Sequence, residues 1–149
     1  MSYIEKNLMS GEKLMYQESL HWVIFLPTAA WILVSFVLFA QGPDIAPIGA
    51  ITISIGILTA ISSFINYKTS EFGVTNKRVI VKVGFIRRNS LEVLLNKVEG
   101  IQVSQGIMGR ILDFGSITVS GTGGSRDPFH KISAPLEFRK QVQEQVSAV

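Results

Sequence analysis

The sequence has 149 residues, of which 47% are apolar and 17% charged, with a formal net charge of +3 and a mean hydropathy of +0.35. This length accommodates about one domain of roughly 100–150 residues, which excludes a large enzyme with separate cofactor and substrate domains, and the apolar content excludes a disordered chain. The absence of cysteine excludes disulfide scaffolds, thiol nucleophiles and cysteine-ligated metal sites.

The apolar residues are concentrated in one stretch, residues 22–67, in which Asp44 is the only charged residue. A break rich in Pro and Gly, residues 41–47, divides this stretch into segments at about 22–40 and 48–65. Each segment approaches the roughly 20 residues that a helix needs to cross about 30 Å of hydrocarbon. The pattern predicts a helical hairpin that spans a membrane.

The chain is therefore predicted to have three parts: an N-terminal arm (residues 1–21), a two-span transmembrane hairpin (residues 22–66) and a second domain (residues 67–149). The alternative is a core hairpin in a soluble protein, but the remaining chain is too short to wrap two helices that are apolar on all sides. Aromatic and histidine side chains at the ends of the hairpin suit the membrane interface. We predict three such anchors: His21, Trp22 and Tyr67.

Lysine and arginine are unevenly distributed: the segment between the spans has none, the N-terminal arm has two and the chain after residue 66 has twelve. The positive-inside rule therefore predicts that both termini face the cytoplasm. Neither span carries an ionisable residue of the kind that marks an ion path. A small oligomeric channel or transporter subunit is nevertheless an alternative function, lined by the hydroxyl groups of Thr52, Ser54, Thr59 and Ser62.

After the hairpin, short runs of β-branched and aromatic residues are bounded by Gly, Asn and Ser, which is typical of strands. The predicted strands are residues 69–75, 78–85, 88–95, 98–105, 116–122 and 129–133. Apolar residues at 138, 142, 146 and 149 then recur at helical spacing. The pattern predicts a curved sheet or open barrel with one end covered by a C-terminal amphipathic helix.

Several motifs resemble those of a known family. They are Gly11-Glu12-Lys13, His21-Trp22, Tyr67, Thr75-Asn76-Lys77-Arg78, Gly84-Phe85-Ile86-Arg87-Arg88, and residues 94–101, 103–112 and 115–119. With the two-span hairpin, they resemble bacterial membrane proteins with a pleckstrin-homology-like (PH-like) domain, the YdbS-like family. The resemblance implies a mainly-β PH-like roll with a C-terminal α-helix, a location in the bacterial inner membrane and a tendency to form homo-oligomers. It implies no established activity.

Basic residues at two predicted turns are candidates for contact with lipid headgroups: Lys77, Arg78, Arg87 and Arg88. A domain tethered to a membrane has anionic lipid as its nearest polyanion, although a solvated turn explains the same residues. Nucleic-acid binding is not expected, because the basic residues are sparse and lack interleaved aromatics.

Three further features of the sequence bear on function. The glycine-rich segment 121–126 is predicted to be a hairpin loop, because a phosphate-binding loop needs a helix immediately after it. The candidate catalytic residues are not expected to converge, so we predict no enzyme, no cofactor and no metal site; they are His21, His130, Glu92, Glu99 and Asp113. A short helix at residues 107–112 places four apolar residues in one or two turns, and we predict that most of them are buried: Ile107, Met108, Ile111 and Leu112.

The sequence thus predicts a membrane-anchored, non-enzymatic binding and assembly module at the cytoplasmic face. The expected partners are membrane lipids, further copies of the same chain, or an unidentified protein.

Overall fold

A computed structural model describes residues 2–124 and 128–149. The helices are α1 (Tyr3–Lys6), α2 (Leu26–Phe39), α3 (Ala46–Thr69), α4 (Ile107–Leu112) and α5 (Pro135–Ala148). The strands are β1 (Leu14–Glu18), β2 (Glu71–Thr75), β3 (Arg78–Val83), β4 (Asn89–Leu94), β5 (Val98–Ser104), β6 (Phe114–Gly121) and β7 (Pro128–Ser133).

The chain divides into two compact units. The helical unit comprises residues 22–68, and the β unit combines the residues up to His21 with those from Thr69 onward. The helical unit is therefore an insertion within the β unit. The N-terminal arm, predicted as a separate segment, belongs to the β unit because its strand β1 pairs with β2.

The helical unit contains two helices that are long and apolar enough to cross a membrane, by length and composition. Most of their large apolar side chains are exposed, as expected of helices that are apolar on all sides. Hydroxyl groups join the pair: Ser35 Oγ donates to Thr52 Oγ1 at 2.9 Å, and Thr28 Oγ1 lies 3.4 Å from Thr59 Oγ1. Two of the four residues that the alternative function places in a channel lining thus face α2: Thr52 and Thr59.

Sheet A of the β unit is an antiparallel meander in the order β1-β2-β3-β4. The turn between β3 and β4 begins at Gly84, whose φ is +85°, and a Cβ at this position would lie 2.5 Å from the carbonyl oxygen of Arg87. This turn therefore requires glycine, both for its left-handed backbone and for the close approach.

Sheet B has the order β5-β6-β7, and α4 connects its first two strands. All six predicted strands are present, with ends that differ by a few residues. The strand missed by the sequence analysis is β1, which lies before the spans and pairs with a strand that follows them. Its short polar and apolar alternation carries no local sign of a partner so distant in sequence.

The core of the β unit lies between the sheets and α5. Phe138 and Val142 of α5 are fully buried, as the helical spacing predicts. The Phe72 ring meets the rings of Phe129 and Phe138 edge-on, each at a centroid distance of 6.3 Å. Such edge-to-face pairs add to the free energy gained by burying the rings. The buried face of α5 does not extend to the C-terminus, where Val149 is exposed.

The predicted burial of α4 is wrong. Ile107, Met108 and Ile111 are 82%, 57% and 71% exposed. Gly109 is the buried residue of this helix, and a Cβ there would lie 2.4 Å from the carbonyl oxygen of Phe114. The backbone at Gly109 therefore packs directly on the domain, and the three large apolar side chains point away from it.

Replacing Phe138 tests this account of the core. We expect Phe138→Ala to lower the free energy of unfolding by about 3–5 kcal/mol, because it leaves a cavity between α5 and sheet A. Leu136→Ala, at an exposed position of the same helix, should change it by no more than about 0.5 kcal/mol. Denaturant unfolding of the full chain in detergent measures both, and equal losses would contradict the assignment.

Candidate functional site

The two ends of sheet A have different neighbours along the chain. One end holds the last residues of β1, the first residues of β2 and the β3–β4 turn. This placement follows from three pairs of residues on neighbouring strands: Glu18 with Phe72, Glu71 with Lys82 and Val83 with Asn89. The chain passes to and from the helical unit at this end, which we call the tether end. The β2–β3 turn, with Asn76 and Lys77, lies at the opposite end, which we call the far end.

At the far end, Arg78 lies in a buried ion cluster. Its side chain is only 7% exposed, and its Nε and Nη2 donate to the two oxygens of Glu12 at 2.9 and 3.1 Å. Nη2 also donates to the Asn7 carbonyl at 2.7 Å, and Nη1 pairs with Glu92. Two-point contact between guanidinium and carboxylate is the strongest geometry for this pair.

The surroundings of the cluster favour its charged state. Burial by itself raises the pKa of Glu12, but hydrogen bonds from Arg78, the Met9 backbone and Thr75 Oγ1 outweigh it and hold this pKa below its ordinary value. The hydrogen bond to Glu12 is the main reason why the pKa of Arg78 is raised. Arg78 therefore joins the N-terminal arm to sheet A, in place of the predicted headgroup contact.

Lys77 is exposed beside this cluster, and its Nζ donates to the Ser10 carbonyl at 2.9 Å. Arg87 and Arg88 are also exposed, but they lie at the tether end, in the β3–β4 turn. The four basic residues predicted to contact lipid are thus divided between opposite ends of sheet A. Headgroup contact by Lys77, Arg87 and Arg88 stays a prediction.

The predicted interface anchors also have different surroundings. His21 is buried in the β unit, where its backbone N–H donates to the Lys131 carbonyl at 2.8 Å and its ring lies 5.2 Å from that of Phe114. Trp22 is exposed at the start of the helical unit, and the Tyr67 ring lies 5.5 Å from that of Phe25. His21 therefore packs within the β unit, whereas anchoring by Trp22 and Tyr67 stays a prediction.

Two of the candidate catalytic residues, His130 and Glu92, lie in different sheets. His130 Nδ1 lies 2.8 Å from Ser116 Oγ on the surface of sheet B, whereas Glu92 pairs with Arg78 in sheet A. Among residues 2–124 and 128–149, no three His, Asp or Glu residues form a group able to hold a metal ion.

Of the glycine-rich segment, Gly121 and Gly124 form a turn closed by a 3.0 Å hydrogen bond. Ser125 and Arg126 lie outside the described residues.

Two carboxylates that organise the N-terminal arm were missed by the sequence analysis: Glu12 and Glu71. Glu71 accepts hydrogen bonds from Ser2 Oγ at 2.6 Å and from the backbone of Tyr3 and Ile4 at 3.0 and 3.1 Å. Burial alone raises the pKa of Glu71, but these bonds outweigh it and lower that pKa. No local pattern identifies such pairs, because their members are more than 60 residues apart.

A family model described as bacterial PH domain matches residues 23–146. The match includes both apolar helices, sheet B and β2–β4, and most of α5. Neither the curated proteins nor the solved structures gave a match.

Removing the charge of Arg78 tests the ion cluster. We expect Arg78→Ala to cost about 3–5 kcal/mol of unfolding free energy, because it leaves Glu12 buried without its counter-charge. Lys77→Ala, the neighbouring exposed position, should cost no more than about 0.5 kcal/mol. Chemical denaturation of both variants makes the comparison, and a near-neutral Arg78→Ala would show that the cluster contributes little.

Stability should also fall in acid. The pKa of Glu12 and that of Glu71 are lower in the folded chain than the ordinary value of 4.5. Their contribution is therefore complete above pH 4.5 and is lost as the pH falls through the folded-state values. Thermal unfolding between pH 7 and pH 3 should show this loss, and the double variant Glu12→Gln/Glu71→Gln should reduce the slope. An unchanged slope would assign the acid sensitivity to other groups.

Proposed function

The chain belongs to the bacterial PH domain family, and on that premise we propose that it is a membrane-anchored, non-enzymatic binding and assembly module. Its helical unit anchors it in the bacterial inner membrane, with both termini in the cytoplasm. Its β unit binds further copies of the same chain at the membrane surface. PH domains are typically binding modules, which supports this assignment.

Anchoring is supported by how the two units are connected. The helical unit begins at Trp22, directly after the buried His21, and α3 ends at Thr69, two residues before β2 begins. Both ends of the apolar hairpin are thus joined to sheet A with almost no linker. A bilayer that holds α2 and α3 would keep the β unit at its surface, and the excess of Lys and Arg in this unit favours the cytoplasmic side.

The observation that carries the binding role is an open corner of the β unit. At one corner, Leu20 bridges to Ile132 and joins the chain after β1 to sheet B. At the other corner, β4 and β5 follow one another in sequence but belong to different sheets, so within the described part of the chain each is an edge strand. Edge strands carry backbone groups that can pair with another chain.

The edge strand β5 adjoins an apolar groove. Val98 and Ile101 of β5 form one side of the groove, and Val142 and Val146 of α5 form the other. A sheet edge beside an apolar groove is the arrangement used in β-augmentation, in which the added strand gains main-chain hydrogen bonds and side-chain pockets together.

Confinement favours a second copy as the occupant of this edge. Two chains anchored in one membrane meet at a much higher effective concentration than two chains in solution, so a modest edge contact gives a stable assembly. Leaving the edges of β4 and β5 uncovered would also leave them open to uncontrolled pairing.

Native mass spectrometry of the full chain, released from mild detergent or nanodiscs, tests the proposal. We expect a discrete multimer. Val146→Glu should convert it to a monomer, because it places a charge in the groove, whereas the matched control Ser147→Glu, exposed on the same helix, should keep it. A wild-type chain that is monomeric in detergent and bilayers across concentration would overturn the assembly role. A multimer that resists Val146→Glu would exclude this groove as its interface.

A further inference from the structure

Two exposed apolar elements of the β unit lie close to the two points at which the chain passes between the β unit and the helical unit. The first is the β3–β4 turn, in which Phe85 is exposed and Ile86 is 92% exposed. The second is α4, with Ile107, Met108 and Ile111. We call them the turn tip and the helix tip.

The chain has two connections between the units: the first leads from β1 into the helical unit, and the second leads from α3 into β2. The turn tip contacts the second connection directly. The N–H of Gly84, which begins the turn, donates to Ser70 Oγ at 3.2 Å in a buried hydrogen bond. Ser70 is the single residue between α3 and β2. The turn tip is therefore fixed beside the point where α3 enters sheet A.

The helix tip lies beside the first connection. Leu20 bridges to Ile132, and Ile132 pairs with Gly115 near the start of β6, directly after α4. His21, the last residue before the helical unit, packs its ring on Phe114. Each tip is thus adjacent to one of the two connections. The turn tip belongs to sheet A, and the helix tip joins two strands of sheet B.

Both tips combine aliphatic side chains with arginine. Arg87 and Arg88 follow Ile86, and Arg110 lies within α4; all three are exposed. Residues 84–88 and 106–112 contain no Asp or Glu. Apolar side chains together with cations are the composition that binds the interface of an anionic bilayer, where the apolar groups enter the headgroup boundary and the cations meet phosphate.

From these positions we infer that the turn tip and the helix tip form a lipid-contact surface of the β unit, whose ligand is the anionic bilayer. Ile86, Ile107 and Ile111 enter the boundary between headgroups and acyl chains, and the neighbouring arginines contact lipid phosphates. This inference rests on the proposed membrane anchoring. It also distinguishes among the predicted lipid contacts, because it includes Arg87 and Arg88 and excludes Lys77 at the far end.

The absence of cysteine makes the surface directly testable. Single substitutions Ile86→Cys and Ile111→Cys, each at an exposed position, allow an environment-sensitive fluorophore to be attached to the full chain in nanodiscs with phosphatidylglycerol. Lys77→Cys, exposed at the far end, is the matched control. We expect the emission at positions 86 and 111 to shift to shorter wavelength and to lose most of its intensity with brominated lipid, whereas position 77 should show neither change.

Other outcomes are equally informative. Water-like emission at positions 86 and 111 would overturn the inference, and so would a shifted emission that brominated lipid does not quench, because the tips would then be buried against protein. Resistance to alkaline carbonate extraction, measured on the same variants, tests anchoring separately. Extraction of the wild-type chain would overturn the proposed anchoring itself, whereas a retained chain with water-exposed tips would overturn only this inference.

The charges have a test of their own. The double variant Arg87→Glu/Arg88→Glu should reduce quenching at position 111 in phosphatidylglycerol nanodiscs, whereas Lys77→Glu should not. In nanodiscs of zwitterionic lipid alone, the same double variant should have a much smaller effect, because the surface potential that attracts the arginines is absent. Equal losses from both variants would overturn the assignment of the cations to the tether end.

Discussion

The pairing of β1 with β2 is the constraint on which the rest of the structure depends. These strands lie on opposite sides of the helical unit in sequence, yet they are neighbours in sheet A. Their pairing closes a long loop, and the entropic cost of such closure grows only slowly with loop length. If the two apolar helices associate first, their ends are already close and part of this cost is met before the sheet forms. Sheet A and the hairpin thus support one another.

Charged groups reinforce this pairing from both ends of sheet A. Glu12 and Arg78 join the arm to the start of β3 at the far end, while Glu71 holds the backbone of α1 at the tether end. Most surface ion pairs add little stability, but the carboxylate of Glu12 and the guanidinium of Arg78 are almost completely enclosed. Enclosure makes the loss of either partner costly. The arm therefore belongs to the folded β unit in energetic as well as geometric terms.

The sequence predicted what depends on local patterns and missed what depends on distant contacts. The two apolar runs, the strands after them and the buried face of α5 all follow from composition and periodicity within short windows. Arg78 was grouped with Lys77 because both are basic residues in one turn, and only the fold places Glu12 beside one of them. The exposure of α4 follows from Gly109 packing on Phe114, a close approach that helical spacing cannot reveal.

The insertion of the helical unit also orders the events of synthesis. During translation β1 emerges before α2 and α3, and its partner β2 emerges only after both. At about 5–20 residues per second, the arm therefore waits some seconds without the strand that will hold it. Burial of Leu20 and His21 takes longer still, because Phe114 and Ile132 are made near the end of the chain. The β unit can thus close only after both helices have been made and brought together. A chain arrested before that point exposes an unpaired strand that a protease can recognise.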